Sequence, residues 1–490
     1  MFYATTPTFD LSPVRLNYVA ALRGVVPMGP EISFLYAQTG GFDLDSFLCL
    51  AASNPQGHFY GMRAEGVETA QATALTRKVT NATFVATNDQ LPTGLNYLCY
   101  DQTESVASPQ ERETFFALAQ SHLAASGLLA YRYRAYDNAD ESLSFLISEY
   151  APEMSAAQAQ EFLAEIKTLG VSYFAEHPIA QAALEKAITT QMSDAFFDLC
   201  GSTKPHVSGT LETMAGLLPR EFSFVGDADF GANYLELAAP AASHEALGKC
   251  RDHLLYEPIK DFTLERLVRN DIWVKRPAEQ TADPVALFEH FTFGITTPKE
   301  RVPTRHTTQG GTISFATPLF MRLIDLMCTL PVGIGDFLSH PAGHGMDQDE
   351  VVAAIHVLVA CGIAQPMRAH YEGKINADHR APTWATAFND YLSDTTITES
   401  SVRLASSIIG ESFTLTAREA LVLQAVHRVG LSLSAGALLP ELQKLIQKNP
   451  ALAAKIMDAA EPTDEVVHNI ITDVVSKELI GWYAYGLLAA

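Results

Sequence analysis

Positive charge is scarce in this sequence. Its 33 Lys and Arg residues stand against 56 Asp and Glu, a formal charge of −23 at pH 7. Such a surface repels a phosphate backbone and offers no basic stripe to hold one, so nucleic acid is not an expected partner. Cysteine is sparse too. Cys49, Cys99, Cys200, Cys250, Cys328 and Cys361 lie in apolar neighbourhoods with no Cys-x-x-Cys pair, which argues against zinc sites and disulfide frameworks and for buried free thiols in a reducing compartment. No apolar run reaches the length of a membrane span, and Met1–Asp10 lacks a basic region followed by an apolar core. The expected location is the cytoplasm.

What remains is ample for a core. The chain has 490 residues, of which 48% are hydrophobic and 18% charged, so two or three compact domains are expected.

The most informative stretch is Glu31–Arg63. Ile32 to Tyr36 is an apolar run suited to a buried strand, and Ala37-Gln38-Thr39-Gly40-Gly41 implies a turn. Phe42, Leu44, Phe47, Leu48, Leu50 and Ala51 then form a helical apolar face that stops at Asn54-Pro55-Gln56-Gly57, and His58 to Met62 starts a second strand. This is the opening of a dinucleotide-binding βαβ unit. Such a unit grips its ligand with glycines, a helix N-terminus and a carboxylate about 20 residues on that holds a ribose. Here Gly40 and Gly41 remain, Ala37 and Thr39 stand where further glycines would help, and Arg63 stands where the acid would be. On spacing alone the Gly-Gly pair is equally a plain structural turn.

A helix over 11–25 should precede the first strand. After Arg63 the pattern gives a helix at Glu68–Lys78, strands at Thr83–Ala86 and Leu95–Tyr100, a helix at Pro109–Ala125 stopped by Gly127, and a fifth strand at Leu128–Tyr133. Strands alternating with helices predict a mainly parallel sheet.

The order Asp10-Leu-Ser-Pro, Leu16 to Gly24, the strand-glycine turn, Ala51 to Gly61 and Ser126-Gly-Leu-Leu-Ala-Tyr131 resembles bacterial class I S-adenosylmethionine-dependent methyltransferases that carry a methyltransferase regulatory domain, such as the rickettsial protein-lysine methyltransferases. Leu218 to Asp229 and Asp261-Phe262 with Leu267 to Arg276 resemble the regulatory-domain signature, the more specific of the two blocks. The resemblance implies an α/β chain: a Rossmann-like methyltransferase domain over 1–150, a helical linker over 151–205, the regulatory domain over 206–304 and a mainly helical C-terminal domain over 310–490. In the C-terminal domain, Pro318–Leu330, Asp347–Cys361 and the strand-like Gly362–Arg368 suggest a winged-helix-like outline.

Carried over by the resemblance, the family's glycine motif falls on Leu35 to Gly41, so its acid and two glycines are lost and Gly41 is kept. The ribose acid falls on Arg63, and Asn88-Asp89 stands near the carboxylate that meets the adenine amine. The fourth motif falls on Asp101 to Val106, where Ser105 alone matches; Tyr133-Arg134 replaces Tyr-Asn after the fifth strand, and Asp194 stands where a histidine stretch belongs. The resulting candidate cofactor residues are Ala37, Thr39, Gly40, Gly41, Arg63, Asp89 and Asp101.

Losing the ribose carboxylate forfeits up to two charged hydrogen bonds of roughly 1.5–3 kcal/mol each, or about two orders of magnitude in affinity. An arginine roughly 8 Å from the sulfonium, at an effective dielectric of about 20, adds about 2 kcal/mol of repulsion. The sequence therefore implies a methyltransferase-like protein of the protein (lysine) methyltransferase type that acts as a non-catalytic partner or scaffold and holds no cofactor. The alternative is an active protein methyltransferase with a divergent cofactor loop, with S-adenosylmethionine as cofactor and Asp43, Asp45 or Glu65 taking the ribose. In either case the partner or substrate is a protein.

Other residues have two readings. Arg63 either serves a ligand or caps the strand and pairs with Glu65 or Glu68. Asp101 and Glu104 are general bases or exposed loop acids. Tyr131 and Tyr133 alternate with Arg132 and Arg134, as on an edge or crevice-lining strand. Arg269 and Asp271 suit a structural ion pair. His340 and His344 have helical zinc spacing, but Pro341 and the glycines between and after them deny that helix. Thr296–Gly311 reads as a linker, Val402–Ile409 as a short strand, and Trp482-Tyr-Ala-Tyr485 as an aromatic patch that packs the tail down or meets a partner.

Overall fold

The computed structural model describes residues 11–26, 33–101, 109–134, 155–169, 178–189, 209–249, 256–264, 266, 268–276, 284–368, 383–394, 397, 401–429, 434–448 and 463–489. Helix α1 (Pro13–Ala21) begins with the Ser12 hydroxyl accepting from Arg15 N (3.2 Å) and with proline at its first position. Then come β1 (Phe34–Gly40), α2 (Leu44–Ala52), β2 (Gly57–Met62), α3 (Val67–Thr76), β3 (Ala82–Val85), β4 (Leu95–Asp101), α4 (Pro109–His122) and β5 (Leu123–Arg134). Two strands from the segment expected to be regulatory, β6 (Phe222–Asp227) and β7 (Val268–Lys275), complete the same sheet.

The sheet has seven strands in the order β3-β2-β1-β4-β5-β7-β6. β3, β2, β1, β4 and β5 run parallel, β7 is antiparallel to β5, and β6 is antiparallel to β7. Strand order reverses between β1 and β4, the switch point where an open α/β sheet presents its ligand crevice.

Three expectations are corrected here. The turn expected at residues 37–41 is strand as far as Gly40, because Ala37 and Gln38 pair with Tyr60 and Gly61 on one side while Thr39 and Gly40 pair with Tyr100 and Asp101 on the other. Pairing on both sides overrides the local turn preference. Helix α4 does not reach Gly127. It stops at His122, where Lys275 Nζ donates to the carbonyls of Gln120 and Leu123, and the chain passes directly into β5. Finally, β5 is internal, held by β4 and β7, so Tyr131 and Tyr133 are not on an edge. Both are buried, and their rings stack at 4.8 Å.

Each face of the sheet has its own core. On the α4 face, Ala37, Leu98, Phe115, Tyr131 and Trp273 pack together. On the α1 face, Tyr18, Tyr36, Phe59 and Ile272 share a core with Phe293, Leu323, Phe337 and Leu358, so the helices Pro318–Met327, Ile334–Ser339 and Gln348–Ala360 rest on the sheet. The strand Gln365–Arg368 pairs antiparallel with Phe291–Gly294. The stretch expected as a linker holds a hairpin, Arg305–Thr308 with Gly311–Ser314. Gly310 at its tip is required, since a Cβ there would lie 1.7 Å from the Glu236 carbonyl.

A further core joins Met367 with residues from Leu392 to Leu488. The expected strand at 402–409 is Ser401–Ser406, paired with a partner strand that sequence reading missed, Glu411–Thr416. The aromatic patch packs the tail down: Trp482 and Tyr485 are buried, and Tyr485 Oη shares its one proton between Ile295 O (2.8 Å) and Met327 O (2.7 Å).

Candidate functional site at the switch point

The crevice lies at the carboxyl ends of β1, β2, β3 and β4. The glycine pair leaves β1 over the end of β4: Gly40 has φ +84° and a Cβ on it would meet the Asp101 carbonyl at 2.3 Å, while Gly41 N donates to the same carbonyl (3.3 Å). Packing against β4 alone therefore demands glycine at position 40. Ala37 and Thr39 are fully buried within the strand.

Arg63 follows β2, and its amide donates to Val85 O (2.9 Å). Its guanidinium lies 5.4 Å from the centroid of the Phe42 ring, a cation–π distance. That ring in turn packs against Gly61, where an added Cβ would be 3.1 Å from it. No carboxylate lies within ion-pair distance of Arg63 among the described residues, so neither Glu65 nor Glu68 takes the pairing role considered for them. Phe42, whose ring also lies 5.1 Å from that of Phe47, thus stands with Arg63 at the end of β2.

The acids that could replace the lost carboxylate have other attachments. Asp43 caps α2, its Oδ2 accepting from Ser46 N (2.8 Å) and Ser46 Oγ (2.7 Å). Asp45 lies 3.7 Å from Arg77, and Glu65 is exposed. Asp89 is exposed on a short turn after β3, where a hydrogen bond with Thr87 and one with its own amide hold its carboxyl below the ordinary value. Asp101, nearly buried at the end of β4, is bound by Arg132 Nη1 at 3.2 Å. Glu104, Ser105 and Asp194 lie outside the described residues, as does the Arg134 side chain. The structure thus gathers Thr39, Gly40, Gly41, Arg63 and Asp101 around the switch point and leaves Asp89 at its outer rim. Phe42, Ser46 and Arg132 lie against these residues, on Arg63, Asp43 and Asp101 respectively. Of these, Arg132 could have been found from its place one residue before the end of the buried Tyr131–Tyr133 alternation.

Beside the crevice, β7 carries a buried ionic cluster. Arg269 donates to Asp271 Oδ1 (2.6 Å), Asp261 Oδ1 (2.6 Å) and Glu257 Oε2 (3.0 Å), and Lys260 lies 2.9 Å from Glu257. The expected Arg269–Asp271 ion pair is present within this larger set. Asp271 Oδ2 accepts from Tyr133 Oη (2.8 Å), so the cluster ties the end of β5 to β7. Burial pushes Asp271 up to about 6 from 3.8 despite the opposing pull of Arg269, and Asp227 adds to the rise. The folded protein holds a proton there that the unfolded chain has released. Stability contributed by this group is therefore present below pH 3.8 and lost as pH rises to about 6. In urea titrations between pH 4 and 7, the stability of the parent chain relative to Asp271→Asn should fall as pH rises through that window; a difference independent of pH would exclude the assignment.

His340 closes the Ile334–Ser339 helix and its Nδ1 accepts from Ala342 N (3.1 Å). Among the described residues no group of three or more His, Cys, Asp or Glu side chains is arranged to hold a metal ion, and no helix is long and apolar enough to cross a membrane.

A mostly parallel seven-stranded sheet with its crevice between β1 and β4 defines a Rossmann-like, methyltransferase-type fold. Residues 205–275, which contain the first regulatory block and all but Arg276 of the second, match the family model described as "predicted methyltransferase regulatory domain". PKMT2 from Rickettsia typhi, solved in complex with AdoHcy, shares the fold with a TM-score of 0.72 and 13% identity over 100% of both chains. A second structure of PKMT2 from Rickettsia typhi gives 0.67 and 13% over the same coverage. No curated protein matches the chain.

Proposed function

We propose that this chain is a methyltransferase-like protein of the protein-lysine methyltransferase type whose S-adenosylmethionine crevice is degenerate, and that it acts as a non-catalytic partner or scaffold for another protein. The observation that carries this reading is Arg63, lying over Phe42 at the end of β2 with no carboxylate in ion-pair distance among the described residues. A sulfonium nucleoside needs an acid there and meets a cation instead. The buried Ala37 and Thr39, and the attachments of Asp43 and Asp45, support the same reading. Cys49, Cys99 and Cys361 are buried free thiols, which favours a reducing compartment such as the cytoplasm.

Calorimetric titration with S-adenosylmethionine and its demethylated product tests it. The expected dissociation constants are weaker than roughly 10 μM, following from the lost ribose contacts; tighter binding would overturn the proposal. A second reading, an active protein methyltransferase with a divergent loop, is favoured by one observation: PKMT2, with the same fold, was solved in complex with AdoHcy. That reading requires Asp43, Asp45 or Glu65 to leave its present place and take the ribose.

A further inference from the structure

The cap of α2 does not stand alone. The Ser46 hydroxyl that donates to Asp43 Oδ2 (2.7 Å) itself accepts from Arg403 Nη1 (2.7 Å), and Arg403 belongs to the strand Ser401–Ser406 of the C-terminal hairpin. The same hairpin grips the other end of α2. Ser53 Oγ accepts from Ser406 N (3.1 Å) and shares its one proton between Cys49 O (2.8 Å) of its own helix and Glu411 O (3.0 Å), while Asn54 Nδ2 donates to Gly410 O (2.8 Å). A helix of nine residues is therefore fastened at both ends to one hairpin more than 350 residues later in the chain. Directly before the Asp43 cap come Gly41 and Phe42, and the Phe42 ring packs on Phe47 and beside Gly61 near the end of β2.

We infer that the C-terminal hairpin is an autoinhibitory brace: Arg403, acting through Ser46, keeps Asp43 at the helix cap and Phe42 over the crevice, and releasing Arg403 uncovers the crevice for S-adenosylmethionine. This rests on the reading that the chain's own side chains cover the crevice. The chemistry is simple. Arg403 orients the hydroxyl so that its proton points at Asp43, and that bond is one of two fixing the carboxylate. Without it the acid nearest in sequence to the glycine pair is freed to meet a cationic nucleoside, and the segment bearing Phe42 loses an anchor. Arg403 is a positioning residue, since its reach to Asp43 runs through the Ser46 hydroxyl.

The test uses the full chain carrying Arg403→Ala and, separately, Ser46→Ala, which removes the hydroxyl without disturbing the hairpin's charge. S-adenosylmethionine is titrated into each variant by calorimetry, and hydrogen exchange is followed over residues 40–47. The expected result is faster exchange over that segment and an affinity at least about fivefold higher in both variants, the lower end of ordinary coupling between sites. Arg403→Lys, which keeps a donor, should lie closer to the parent. Unchanged affinity in the folded variants overturns the brace whatever the exchange shows, and should Arg403→Ala fail to fold, Ser46→Ala decides. The two readings fail separately: tight binding by the parent chain sinks the degenerate crevice, whereas weak binding by parent and variants alike sinks only the brace.

Discussion

Arg269→Met should destabilise the protein by about 3–5 kcal/mol, the usual cost of removing one partner from a buried ionic set. Arg269 has no exposed surface and binds three carboxylates at once, those of Glu257, Asp261 and Asp271. Methionine fills much of the space but leaves those acids facing one another, with Lys260, Thr210 and Tyr133 as the nearby donors. Three charges cannot stay ionised there, so they take up protons or the β5–β7 seam opens. Urea unfolding at pH 7 should show the midpoint falling sharply. Arg269→Lys should recover part of the loss at most, because an ammonium cannot reproduce the planar fork that reaches three acids. A loss under about 1 kcal/mol for the methionine variant would mean that the cluster is less coupled than its distances imply.

The second large effect is a gain. Arg63→Asp removes roughly 2 kcal/mol of repulsion toward a sulfonium and supplies an acceptor for ribose hydroxyls worth roughly 1.5–3 kcal/mol per charged hydrogen bond. Together these exceed about 3 kcal/mol, so affinity for S-adenosylmethionine should rise by about a hundredfold. Phe42→Ala, which clears the ring but keeps the cation, should gain less than about tenfold, since it leaves the repulsion in place. Calorimetry on both variants separates charge from bulk. If Arg63→Asp gains nothing, the obstacle lies instead at Ala37 and Thr39, inside the strand.

Much of the architecture was legible because it is local. The apolar run before Gly40, the face of Phe47 to Ala51 and the break at Asn54-Pro55 need no distant partner to declare a strand, a helix and its end. What escaped notice depends on residues far away. Helix α4 gives way to β5 where Lys275 reaches the Gln120 and Leu123 carbonyls. Glu411–Thr416 is a strand because Ser401–Ser406 lies beside it. The site divides in the same way. Arg63 in place of an acid could be seen from spacing alone, but Phe42 beneath it could not, nor could the attachment of Asp43 to a hairpin hundreds of residues on. Arg269 and Asp271 were visible as a pair because they alternate on one strand; Glu257 and Asp261 join them only through folding.

Tyr485 has a bearing on how the chain is made. Its single hydroxyl serves two carbonyls, those of Ile295 and Met327, which emerge from the ribosome well over a hundred residues earlier. At about 5–20 residues per second, roughly ten seconds or more pass before that hydroxyl can reach them, and until then the Met327 carbonyl has only the Ile295 amide (3.0 Å) as its donor. The contact between this layer and the tail is thus sealed late, after the rest of the layer has been made.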